Sequence, residues 1–138
     1  MCLTNLSFVL SKHPQNFTLV TDPAIIPVPG NKVIEEFIGK INTGTESVSV
    51  ARMEAPSGWD EPEQTPEFDE ITIMVKGRIN VQTEHETVTL SENQTILIHK
   101  NSTVRYSNPF DETAVYWAVC IPAFSNEIVN RRTDSPDV

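Results

Sequence analysis

Thr65-Pro66-Glu67-Phe68-Asp69-Glu70-Ile71-Thr72-Ile73-Met74-Val75-Lys76-Gly77-Arg78-Ile79 is the stretch on which the fold turns. Its entry is charged and broken by Pro66. From Glu70 it becomes a β-favouring run that turns at Gly77 and resumes as Ile79-Asn80-Val81. Alternation sets Ile71, Ile73 and Val75 on one face of a strand and Glu70, Thr72, Met74 and Lys76 on the other. A carboxylate at the head of such a strand is unusual, and it directs attention to what that face encloses.

Reading outward from this pair of strands, the chain keeps the same rhythm. Downstream, Glu84-His85-Glu86 is a polar turn, and residues 87–90, 95–98, 103–106 and 114–121 read as strands separated by turns at Ser91, Lys100-Asn101 and Asn108-Pro109. Ser125 opens a short terminal helix through Asn130, with Glu127 in its first turn. Upstream, residues 55–66 hold three prolines and a glycine, too broken for regular structure. Residues 47–53 form a strand, residues 33–41 fit helical spacing at Val33, Phe37 and Ile41 but are tilted to strand by the flanking Pro-Gly and Thr-Gly, and residues 17–20 form a short strand stopped by Asp22-Pro23. Many short strands with little helix predict an all-β sandwich or barrel. The expected organisation is one domain over residues 1–138, with an N-terminal arm and strand at 1–21, a barrel core at 44–122, and a short helix with a frayed tail at 125–138.

The net charge of −9 argues against nucleic acid and anionic membrane surfaces, because both require a concentrated basic face. No run approaches the roughly 20 apolar residues of a membrane span, and residues 1–20 lack a basic leader followed by a continuous apolar block. Cys2 and Cys120 make no disulfide framework, so a reduced, cytoplasmic chain is expected. Residues 17–20 have no obvious hairpin partner, which predicts pairing across a homodimer.

Glu70, seven positions before the turn residue Gly77, resembles the first motif of the cupins. The second cupin motif places a turn glycine, then Pro-x-Gly, a histidine and an asparagine. The matching frame reads Asn93, Ile98-His99-Lys100-Asn101-Ser102-Thr103-Val104 and Asn108. Asn93 and Asn101 stand for glycines, as asparagine tolerates left-handed backbone. The likeness is to the ethanolamine-utilisation Q-type branch, carried by Asp69-Glu70, Gly77, residues 100–104 and Asn108-Pro109. It implies a double-stranded β-helix, or jelly roll, with Glu70, Thr72 and Met74 facing the lumen and Ile71, Ile73 and Val75 packed behind the wall. Metal-bearing cupins use a His-x-His pair before the glutamate and a later histidine; Gln64, Pro66 and Val104 stand there in this chain. Proline and valine cannot coordinate an ion, so neither metal nor other cofactor is expected. That branch is associated with bacterial microcompartments and a proposed phosphotransfer role, but no glycine-rich phosphate cradle is present to carry that activity over.

The expected ligand is small and polar, held in the barrel. Glu70 reads as a general acid or base if burial raises its pKa, and otherwise as a structural carboxylate at the barrel mouth. Tyr106, on one face with Val104 and Asn108, could donate a proton, or serve as a core tyrosine. Gln64 could present its amide to a ligand or lie in a solvated loop. Arg52 and Glu54 bind a carboxylate-bearing ligand if they face inward, and form a surface pair if outward. Trp59 is a candidate hydrophobic lip, and His99 a further candidate ligand contact. Three functions stay open: a metal-independent isomerase, cyclase or lyase using Glu70; a non-catalytic binding or assembly protein; and a metal enzyme with ligands such as Glu54, Glu70 and His99.

Overall fold

The computed structural model describes residues 16–132. Within them nine strands run β1 (Ala24–Ile25), β2 (Val33–Ile38), β3 (Ser49–Ala55), β4 (Asp69–Lys76), β5 (Ile79–Thr83), β6 (Thr87–Leu90), β7 (Thr95–Ile98), β8 (Val104–Ser107) and β9 (Ala114–Ile121), followed by helix α1 (Asn126–Val129). One sheet has the order β1-β2-β3-β9-β4-β7 and the other β6-β5-β8. Every pairing is antiparallel. Ala55, Met74 and Tyr116 from the first sheet pack with Ile79, Val81, Leu90 and Val104 from the second. That is the two-layered architecture of a jelly roll.

The turns fall where the backbone requires unusual residues. Gly77 has φ 78°, and a Cβ there would lie 3.0 Å from the Thr113 carbonyl oxygen, so this turn strongly favours glycine. Asn93 and Asn101 both have φ 67°, which explains why asparagine serves at two positions where glycine was expected. Asn108 is fully buried. Its Nδ2 donates to the carbonyls of Ala55 and Glu112, each at 2.9 Å, and its Oδ1 accepts from the Phe110 amide at 3.0 Å, bracing the β8–β9 turn.

Several expectations need correction. The barrel begins well before residue 44, because β2 pairs along β3 and carries β1 with it. Residues 17–20 form no strand, and Phe17 and Leu19 are exposed. On β4 the inward set is as expected, with Thr72 and Met74 buried. The outward set is not packed away: Ile73 is 38% and Val75 49% exposed, since no element covers that face within the described residues. The rest of the expected arm and the frayed tail lie outside the described residues.

Candidate functional site

Strand register explains why the barrel has a hollow. Partners across β3, β9 and β4 form layers on the inner face: Met53, Tyr116 and Met74 in one, Ala51, Ala118 and Thr72 in the next, Ser49, Cys120 and Glu70 in the third. The middle layer has only small side chains, and interiors otherwise close-pack. The space it leaves is a cavity of about 200 Å³, bounded by Tyr106 and Tyr116 on one side and Phe68 and Phe124 on the other.

Charged and polar groups reach this cavity from four separate segments. Glu70 comes from β4, Lys32 from the turn before β2, Glu61 and Gln64 from the loop over residues 56–66, and Arg131 from beyond α1. The loop is pinned on both flanks. Gln64 exchanges two backbone hydrogen bonds of 2.9 Å with Val104, and the Arg132 amide donates to the Glu63 carbonyl at 2.7 Å. Arg105 is ion-paired with Asp60, and its Nε donates to the Glu61 carbonyl at 3.1 Å. An otherwise irregular segment is therefore held firmly enough to position side chains.

The Tyr106 hydroxyl donates to Glu70 Oε1 at 3.0 Å. Burial pushes the Glu70 carboxyl up to about 7, and the nearby Glu61 charge adds to this; the Tyr106 bond and the Lys32 and Arg131 charges oppose it. The same burial, with the Glu70 charge, raises the Tyr106 hydroxyl well above its usual value, so it remains a donor. Burial raises Glu61 as well, against the pull of Lys32. Lys32 is lowered to about 8, burial outweighing the attraction of Glu61 and Glu70. Its Nζ lies 3.9 Å from Glu61 and 3.7 Å above the Trp59 ring. Two polar atoms are buried without a hydrogen-bond partner on the cavity wall, Gln64 Oε1 and Thr72 Oγ1. Glu36 also faces the cavity, but its Oε2 accepts from the Ile41 and Asn42 amides at 3.0 and 2.9 Å and is committed to that turn.

The structure thus brings Glu70, Tyr106 and Gln64 together. Trp59 serves as the seat of Lys32 and does not line the cavity. Arg52 and Glu54 are corrected: both lie on the outer face of β3, where Arg52 Nη1 meets Glu54 at 2.7 Å and Glu35 at 3.3 Å. His99 is corrected too, exposed in the turn after β7 because alternation from buried Ile98 points it away. Glu54, Glu70 and His99 therefore do not converge. Among the described residues no group of three His, Cys, Asp or Glu side chains could hold a metal. At the positions where metal-bearing cupins have histidines, Pro66 and Val104 are buried apolar residues, so the donor set does not fit an ion. Sequence reading missed Lys32, Glu61 and Arg131. The one local signal was a lysine two residues after a Pro-Gly turn, at a strand head; the other two depend on how the loops close.

The two antiparallel sheets form a double-stranded β-helix, and the chain shares this fold with solved structures such as an RmlC-like cupin from Shewanella frigidimarina, which superposes with a TM-score of 0.66 at 9% identity over 83% of this chain and 97% of that one. The chain's particular likeness, over residues 60–125, is to the family described as ethanolamine utilisation protein EutQ, whose model matches there. The polyketide cyclase RemF from Streptomyces resistomycificus superposes with a TM-score of 0.70 at 13% identity, covering 90% of this chain and 89% of that one. The EutQ protein of Clostridium difficile superposes with a TM-score of 0.53 at 21% identity, over 67% of this chain and 65% of its own. In sequence, 114 residues are 41% identical to a protein named endoribonuclease YbeY from Myxococcus xanthus (strain DK1622), covering 83% of this chain. The chain spans only 39% of that relative's length. No helix among the described residues is long and apolar enough to cross a membrane.

Proposed function

We propose that the cavity binds a small polar molecule and that Glu70 exchanges a proton with it, in a metal-independent isomerase, cyclase or lyase reaction. The observation that carries this reading is the Glu70 carboxyl in the cavity wall, bonded by Tyr106 at 3.0 Å and pushed up to about 7. A carboxyl with that pKa is divided between acid and base near neutrality, where proton transfer is most effective. Tyr106 fixes its orientation. Gln64 Oε1 and Thr72 Oγ1, buried and unpartnered, are placed to accept from hydroxyl or amine groups of the ligand. The Pro66 and Val104 positions support chemistry carried by the chain's own groups. The similarity to a polyketide cyclase is one of fold, and it supports the class no further than that. The endoribonuclease name is not taken over: the chain spans 39% of that relative and carries a net charge of −9.

The test is proton exchange. A panel of small hydroxy and oxo acids is incubated with the protein in deuterium oxide and followed by NMR. Wash-in of deuterium at a carbon of one compound, abolished in Glu70→Gln, is the expected result. Compounds that bind in the cavity yet show no exchange would overturn the catalytic reading and leave a binding protein.

A further inference from the structure

We infer that Lys32 is an amine nucleophile that condenses with the carbonyl of an aldehyde or ketone ligand in this cavity. The inference rests on the same cavity being the ligand site, but not on Glu70 moving a proton. Three geometric facts carry it. First, the side chain is nearly fully withdrawn from solvent, 7% exposed, yet it lines the cavity. Second, the ammonium makes no hydrogen bond within the described residues: its carboxylate partner, Glu61, is 3.9 Å away, and its nearest support is the face of Trp59 at 3.7 Å. A lysine recruited purely to neutralise a buried carboxylate is expected at hydrogen-bonding distance, because only then does attraction offset desolvation. Third, Arg131 lines the same cavity and adds a second positive charge, with no ion pair to a carboxylate within the described residues. A lysine desolvated in this way, with a second cation on the wall of the same cavity, is an arrangement that favours a neutral amine for imine chemistry. The groups facing Nζ are Glu61, Glu70, Arg131, Trp59 and Tyr116.

In the step itself, the Nζ lone pair forms a bond to the carbonyl carbon while the carbonyl π pair moves to oxygen, which takes up a proton. The proton on oxygen is one the nitrogen releases; the resulting hydroxyl leaves as water after a second proton reaches it from the neighbouring Glu61 carboxyl, the nitrogen lone pair closes the C=N bond, and the nitrogen returns its remaining proton to Glu61. Amine plus carbonyl gives imine plus water, with no oxidant or reductant. The substrate class follows: a small aldehyde, ketone or oxo acid, whose carboxylate, where present, Arg131 would face.

Reductive trapping tests this on the intact protein. Glyoxylate and propionaldehyde are the probes, with cyanoborohydride at pH 7.5 and peptide mapping by mass spectrometry. A lysine lowered to about 8 has roughly 200-fold more neutral amine at this pH than an ordinary one. Lys32 is therefore expected to label on the order of 10-fold faster than the exposed Lys40, Lys76 and Lys100 of the same molecule. This internal comparison needs no variant. Lys32→Arg, which keeps the charge, is expected to lose the adduct while its folding is checked by thermal unfolding. Lys32 labelling no faster than the exposed lysines would overturn the inference, even where deuterium wash-in still supports Glu70. An adduct without any wash-in would leave the imine standing and remove Glu70 from the reaction.

Discussion

From Met74 towards Leu90 the inside of the barrel is solid, while from Thr72 towards Cys120 it is hollow. Both regions are built by the same strands, two residues apart in register. In the solid part, Met74, Ile79, Val81, Leu90 and Val104 are 3% exposed or less and fill the space between the sheets. In the hollow part, Ala51, Ala118 and Thr72 cannot reach across, and the walls carry Lys32, Glu61, Glu70 and Arg131. One region contributes apolar burial; the other gives up packing and desolvates charge, which costs stability. Such a concession is expected where a ligand belongs.

The largest expected effect separates the two regions by volume. Ile79→Ala should cost about 2–5 kcal/mol, because its fully buried side chain leaves a void that close-packed neighbours cannot fill. Ala118→Leu adds volume where space exists and should cost less than about 1 kcal/mol while abolishing ligand binding. Urea unfolding of both variants checks this. Equal losses would erase the distinction.

The next effect concerns charge. Glu70 has a folded pKa near 7, above its ordinary 4.5, so the folded state holds the proton more tightly. Its contribution is fully present below about 4.5 and is lost as pH rises through about 7. Glu70→Gln should match wild type near pH 4.5 and exceed it at pH 8 by on the order of 1–3 kcal/mol, read by thermal unfolding at both values. Lys32 acts in the opposite sense. With its pKa lowered from 10.5 to about 8, its contribution is present above 10.5 and is lost as pH falls through about 8. A Glu70→Gln variant with the same pH profile as wild type would deny that the hollow region desolvates this carboxyl.

A smaller effect belongs to Thr72, whose buried hydroxyl has no partner. Thr72→Val should leave stability within about 1 kcal/mol of wild type and weaken ligand binding, since an unpaired hydroxyl contributes little to the fold. A large loss of stability would mean the hydroxyl is satisfied in solution.

Least coupled to the interior is self-association, which we propose from the outside of the barrel. Ile73, Val75 and Leu97 form an exposed apolar stripe on neighbouring strands, and Phe17 and Leu19 are exposed as well. Light scattering at micromolar concentration should give a dimer that Leu97→Lys or deletion of residues 1–21 weakens. A monomer mass rejects the idea.

How much of this was legible in the sequence differs by kind of information. Alternation along β4 gave the correct two sets of residues, and the motif around Glu70 and Gly77 told which set faces the lumen. Hydrophobicity alone pointed the other way for Ile73 and Val75, because burial depends on what covers a face. Asn93 and Asn101 were readable as glycine substitutes, since left-handed backbone is a local demand. Lys32, Glu61 and Arg131 were not readable. Their meeting depends on long-range closure of residues 56–66 against Val104 on one flank and the chain after α1 on the other. Arg52 and Glu54 read as a possible site because strand alternation leaves the facing side open until a partner strand is known.

The central claim is that Glu70 holds its proton to near neutrality inside the cavity. Carbon-detected NMR of protein labelled at the glutamate carboxyl, compared with Glu70→Gln to assign the resonance, measures this directly. The account predicts a midpoint of about 7 for Glu70. A midpoint near the ordinary 4.5 would contradict it.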